Sequence, residues 1–133
     1  MTMTRPEIFR ENARRVIDRF RSSSDLRHSF DFNRESVKCV ERFIENERQH
    51  RQIPPDEVAK LVTLLGAYLG EAVIHRYGGH WQEDSGNWGV FFDDSNAVFP
   101  FTKVMKQFEN GLEGGASILS FFDLVGLVIF GSM

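Results

Sequence analysis

Ile8, Phe9, Ala13, Val16, Ile17 and Phe20 recur three or four residues apart, which predicts an amphipathic helix over 6–21 with Pro6 near its first turn. Ser22-Ser23-Ser24-Asp25 breaks that period. Leu26, His28, Phe30 and Phe32 then alternate with polar residues, the pattern of a short strand. A second helix is expected from a cap at Asp31 or Asn33 to about Gln49, with Val37, Val40, Phe43 and Ile44 as its apolar stripe. Glu41, Glu45 and Arg48 fall on its wet face in this reading. Pro54-Pro55 stops that helix and opens a third, with Asp56 and Glu57 well placed against the helix dipole. From Val58 to Ile74 apolar residues cover more than one face, so the third helix is expected at the centre of the fold. Gly78-Gly79 ends it.

Beyond Gly79 the period drops to two. His80–Glu83, Trp88–Phe92 and Ala97–Phe101 read as three short strands joined by Asp84-Ser85-Gly86-Asn87 and Asp93-Asp94-Ser95-Asn96, both rich in turn residues. Pro100 lacks an amide donor, so its strand lies at an edge or ends there. A helix starting near Thr102 carries Val104, Met105 and Phe108 and is capped by Gly111, and a last helix runs from about Ser117. The order is three helices, an antiparallel meander of three or four strands, then one or two helices. That is an α+β fold in a single domain over 1–133, with 1–25 as a peripheral helical arm. Gly66 and Gly70, one turn apart on the third helix, each cost about 1 kcal/mol of helix propensity against Ala and mark a seam where another element approaches closely.

Composition sharpens this picture. With 133 residues, 41% hydrophobic and 26% charged, the chain has enough material for one core and is neither disordered nor fibrous. Its single cysteine, Cys39, excludes an internal disulfide and a multi-cysteine zinc site; inside a helix beside Val40 it is expected to be buried and inert. The net charge of −3 hides an asymmetry. Residues 1–76 carry all twelve arginines and two lysines against twelve acids, a net of +2; residues 77–133 carry Lys103 and Lys106 against seven acids, a net of −5. This balance gives no footprint for nucleic acid. The N-terminus lacks the apolar core of a secretory signal, and the apolar run Ile118–Phe130 is interrupted by Asp123 and too short for a membrane span. A cytoplasmic, soluble protein is the expectation.

Several spaced motifs stand out from Leu64 to Phe122: Leu65-Gly66 with Leu69-Gly70-Glu71, Gly78-Gly79 with Trp81, Gly89-Val90 with Phe92-Asp93, and Phe99-Pro100-Phe101. They continue as Lys103-Val104, Lys106-Gln107-Phe108, Asn110-Gly111, Ser117-Ile118 and Phe121-Phe122. This pattern resembles a family of small bacterial domains of unknown function. The resemblance covers about the last two-thirds of the chain and implies no activity. Glu113-Gly114-Gly115-Ala116 departs from the short acidic turn of that pattern, which bears on where the last helix begins.

Candidate chemistry is sparse. Glu71 and His75, four apart on one helix face, with His80 past the glycine turn, have the spacing of an open three-ligand metal site for a metal-dependent hydrolase. The competing reading is a surface histidine and a carboxylate paired with Arg76, Lys103 or Lys106. Trp81 is expected inward and Trp88 on the surface as a binding anchor. Asp93 and Asp94 lack the ligand spacing of a calcium loop. Lys103, Lys106 and Asn110 share one face of their helix and, with Asp93 nearby, form a polar patch suited to an anion or an acidic partner, or simply a solvated face. No phosphate-binding loop or nucleophile elbow is present. The balance favours a non-catalytic protein-binding or regulatory module, without a cofactor, of which an immunity or neutralising protein is one version. Homodimerisation through the first helix is a further expectation.

Overall fold

The computed structural model describes residues 2–130. Its elements follow the periodicities closely, and the departures fall where polar groups take over the backbone.

Helix α1, Arg5–Ser23, begins where the Thr4 hydroxyl accepts the Glu7 amide at 3.3 Å, and it buries Phe9, Ala13, Val16, Ile17 and Phe20. That stripe packs on α3, Pro55–Tyr77, so α1 contributes to the core and is not a peripheral arm. Helix α2, Arg34–His50, is capped by Asn33, whose carbonyl oxygen accepts the Ser36 amide at 2.9 Å.

No strand forms between α1 and α2. Residues Arg27–Ser29 make a 3₁₀ turn instead, with Arg27 at φ 48°. Phe30 stacks on Phe20 at 4.8 Å and Phe32 on His75 at 4.2 Å, so the alternating aromatics serve two different helices rather than one sheet face. The Ser36 hydroxyl accepts the Asp31 amide at 2.8 Å, removing a donor that a ladder would need.

Helix α3 is the central element: every residue from Leu65 to Val73 is buried, and Gly78, at φ 88°, ends it. By length and composition α3 alone among the described helices could cross a membrane, yet 56% of its apolar window is buried inside the protein. A core position explains its hydropathy.

Strands β1 (His80–Asp84), β2 (Asn87–Phe91) and β3 (Ala97–Val98) form an antiparallel sheet in the order β1-β2-β3, with Trp81 opposite Val90 and Val90 opposite Val98. The third strand is shorter than its sequence pattern suggests. Pro100 is the first residue of α4, Pro100–Asn110, because its fixed φ and missing amide suit a helix start. Gly111, at φ 68°, closes α4, and α5 spans Ile118–Phe130.

The two glycines of α3 are the seam. Ideal Cβ atoms at Gly66 and Gly70 would lie 2.3 Å from Phe101 and 2.1 Å from Trp81. Phe101 on α4 and Trp81 on β1 thus pack directly onto the α3 backbone. Phe9 joins them, 4.6 Å from the Trp81 ring and 5.1 Å from Phe101. Each such pair adds about 0.5–1.5 kcal/mol beyond the area it buries.

Candidate functional site

The metal-site residues do not converge. Glu71 is buried, and its carboxylate accepts the Trp81 indole N–H at 2.8 Å within the core. His75 is exposed and stacked on Phe32, while His80 sits on the sheet beside Gln82 at 3.1 Å. Among the described residues no group of three His, Cys, Asp or Glu side chains is placed to hold a metal ion. The expected ion pair of Glu71 with Arg76, Lys103 or Lys106 is likewise replaced by the indole bond. A strand twists Trp81 over Gly70, and the neighbouring carboxylate meets its N–H.

Trp81 is inward as expected, at 7% exposure. Trp88 is half-buried, edge-on to Phe9 at 5.5 Å, so it is no free surface anchor. Asp93 is exposed but occupied by its own turn: it accepts the amides of Ser95 and Asn96 at 2.7 and 2.8 Å and the Asn96 side chain at 2.9 Å. Those bonds, the Asn96 side chain foremost, hold its carboxyl below the ordinary carboxylate range. Cys39 is half-buried, and burial pushes its thiol up, keeping it protonated and unreactive at neutral pH.

Lys103, Lys106 and Asn110 do come together. They line one wall of a groove of about 860 Å³ between α4 and α5, closed at one end by β3 and at the other by the Gly114–Ser117 loop. The facing wall carries Phe121, Leu124 and Val125; Val98 and Phe99 line the sheet end. Lys103 Nζ lies 5.8 Å from the Phe121 ring centre, a cation–π approach that holds the ammonium over the groove. Among the described residues neither lysine is within ion-pairing reach of a carboxylate, and no acidic residue lines the groove. Leu124 is 52% exposed, and Leu127, one turn on, 67%.

A buried polar network ties α2 to α4 and to the start of α5. Glu41 and Glu45, expected on the wet face of α2, point inward at 8% exposure each. Glu41 accepts the Ser117 hydroxyl at 2.5 Å and the Leu119 amide at 3.3 Å, capping α5 from a neighbouring helix. Glu45 accepts the Gln107 side chain at 3.1 Å and the Leu112 amide at 3.2 Å, and the Gln107 carbonyl oxygen accepts the Ile118 amide at 2.8 Å. Arg48 pairs with Glu113 at 2.9 Å; its guanidinium holds the Glu113 carboxyl below the usual range. With its first amides satisfied in this way, the α5 terminus offers nothing to an anion.

The other cationic surface is α1. There Arg10, Arg14, Arg15 and Arg19 are exposed, but Glu7, Glu11 and Asp18 run between them and Arg14 approaches Glu11 at 3.9 Å. None of the large exposed apolar side chains, which are Met3, Leu112, Leu124 and Leu127 among the described residues, lies on α1. Among the described residues, the α4–α5 groove brings two lysines that make no ion pair beside exposed apolar surface. A second cavity, of about 330 Å³ beside His75, Arg76 and Tyr77, is also lined by Arg34 and Asp123, which form an ion pair at 2.9 Å.

No protein-family model matches this chain, and neither a curated protein nor a solved structure does.

Proposed function

We propose that this chain is a non-catalytic protein-binding module of regulatory or neutralising kind, acting in the cytoplasm, and that the α4–α5 groove is its docking surface. One observation carries the reading: Leu124 stands exposed in the same groove as Lys103 and Lys106, while the chain's other candidate groups are engaged elsewhere. Exposed apolar surface bordered by polar residues is typical of protein-interaction sites. The opposing fact is equally relevant to catalysis. Glu71 is held by Trp81, Asp93 by its turn, and Glu41 and Glu45 by amide and hydroxyl donors, and among the described residues no acidic side chain lines the groove as an acid or base. Of the spaced motifs, Gly66, Gly70, Glu71, Trp81 and Phe101 form one packing unit, so they serve the core rather than the docking surface.

A peptide-phage selection against the full chain tests the proposal. Selected peptides are expected to lose binding to Leu124→Asp, a change at an exposed position that leaves the melting temperature near wild type. Peptides that bind Leu124→Asp as tightly as wild type would place any docking surface elsewhere.

A further inference from the structure

The groove's composition specifies its occupant more narrowly. Resting on the docking reading above, we infer that the groove receives an acidic amphipathic helix of a partner protein, with its carboxylates against Lys103 and Lys106 and its apolar side chains against Phe121 and Leu124.

Charge complementarity is the first argument. The half of the chain that contains the groove has a net charge of −5, yet its only two lysines both lie in the groove and face no acid among the described residues. An uncompensated pair of ammonium groups in an otherwise acidic half selects against cationic partners and for anionic ones. Lys103 is further constrained by the Phe121 ring, so its charge is held beside the apolar wall.

Spacing is the second argument. Lys103 and Lys106 are three residues apart on α4, about 4.5 Å along the helix axis. Carboxylates three or four residues apart on a partner helix rise by about 4.5–6 Å, which matches. Same-face residues of an extended strand are about 6.6 Å apart, which does not. Phe121 and Leu124 repeat the one-turn spacing on the opposite wall. A groove between two helices, charged along one wall and apolar along the other, is the shape that an amphipathic helix fills by laying its apolar face inward.

A free small anion would need converging donors in an enclosed site. Here both lysines are exposed and the α5 amides are already bonded to Glu41, Gln107 and Ser117. That leaves the ammonium groups as guides for a larger, apolar-anchored ligand.

The test uses the phage-selected peptides, resynthesised with a fluorescent label, against the full chain. The expected peptides carry acids three or four residues apart beside large apolar residues. Their affinity should fall about tenfold or more on Lys103→Glu/Lys106→Glu, and fall with rising salt. Exchanging the peptide acids for lysine should restore binding to the charge-reversed chain, a rescue that misfolding could not produce. The inference is overturned if selected peptides show no acidic excess or bind the charge-reversed chain equally. If those same peptides still lose binding on Leu124→Asp, the docking reading stands and only its acidic occupant falls. Two controls name the other occupants. Laurate binding in place of any peptide, or self-association that Leu124→Asp abolishes in sedimentation runs, would each overturn the helical partner in favour of a lipid or a second copy.

Discussion

Replacing Gly70 with alanine should destabilise the protein, although alanine is the better helix former. An ideal Cβ at Gly70 would lie 2.1 Å and 2.3 Å from Cη2 and Cζ2 of Trp81. Ordinary carbon contacts are about 3.5–4.0 Å, so the ring must retreat by roughly 1.5 Å. It has little room: Trp81 is 7% exposed, with Phe9 at 4.6 Å and Phe101 at 5.7 Å. Overpacking of this kind costs about 1–3 kcal/mol. Retreat also breaks the 2.8 Å bond to the buried Glu71 carboxylate, a further 1–3 kcal/mol or so. Helix propensity returns about 1 kcal/mol. The net is a loss of about 3 kcal/mol, read as a lowered midpoint in urea unfolding followed by far-ultraviolet circular dichroism. Gly66→Ala should cost less, because the Phe101 ring it strikes is only half-buried and can swing outward. The decisive comparison is a double-mutant cycle with Trp81→Phe, which removes the ring atoms in conflict. Coupling should reduce the Gly70→Ala loss by about 1 kcal/mol or more. Wild-type stability for Gly70→Ala, or strict additivity with Trp81→Phe, would refute the seam.

Three further outcomes follow from the same contacts. Glu41→Ala should cost about 1–3 kcal/mol and speed amide exchange in the first turn of α5, since Ser117 and Leu119 lose their acceptor. Tyr68→Phe removes the 2.6 Å hydrogen bond donated to the Asp31 carbonyl and should cost about 1–2 kcal/mol at neutral pH. Burial pushes the Tyr68 phenol above its ordinary 10.0, so the wild type loses stability as pH rises past that value, where only the unfolded phenol ionises; Tyr68→Phe should show a shallower alkaline decline. Asp93 is lowered by its hydrogen bonds from a reference of 3.8, so its contribution is present above that pH and lost as pH falls through the lower folded value. Urea midpoints of wild type and Asp93→Ala should accordingly differ at pH 6 and converge as the pH falls below 3.8.

The helices were legible because their apolar stripes repeat over several turns, and α3 declared its central place by lacking a polar face. Gly66 and Gly70 announced a close approach, though not that Phe101 and Trp81 would make it. Phe30 and Phe32 misled because alternation over four residues is equally produced by two aromatics turned toward different helices, here Phe20 and His75. Pro100 fitted a strand's end and a helix's first turn alike; only the packing of Phe101 on Gly66 decides between them. Glu41 and Glu45 looked solvated because helical phase alone cannot show that the loop before α5 brings unpaired donors to them. Lys103, Lys106 and Asn110 were found as one face. Their apolar counterparts on α5 were not, since Ile118–Phe130 is apolar on nearly every side and its phase is set by the docking of Phe122 and Val125.

Amide chemical-shift mapping of the labelled chain, titrated with the tightest selected peptide, probes the working surface most directly. The largest shifts are expected at Val98, Lys103, Lys106, Ser120 and Leu124, with α1 silent. Shifts centred instead on Arg10, Arg14, Arg15 and Arg19 would show that a bare cationic face suffices, and would contradict the groove.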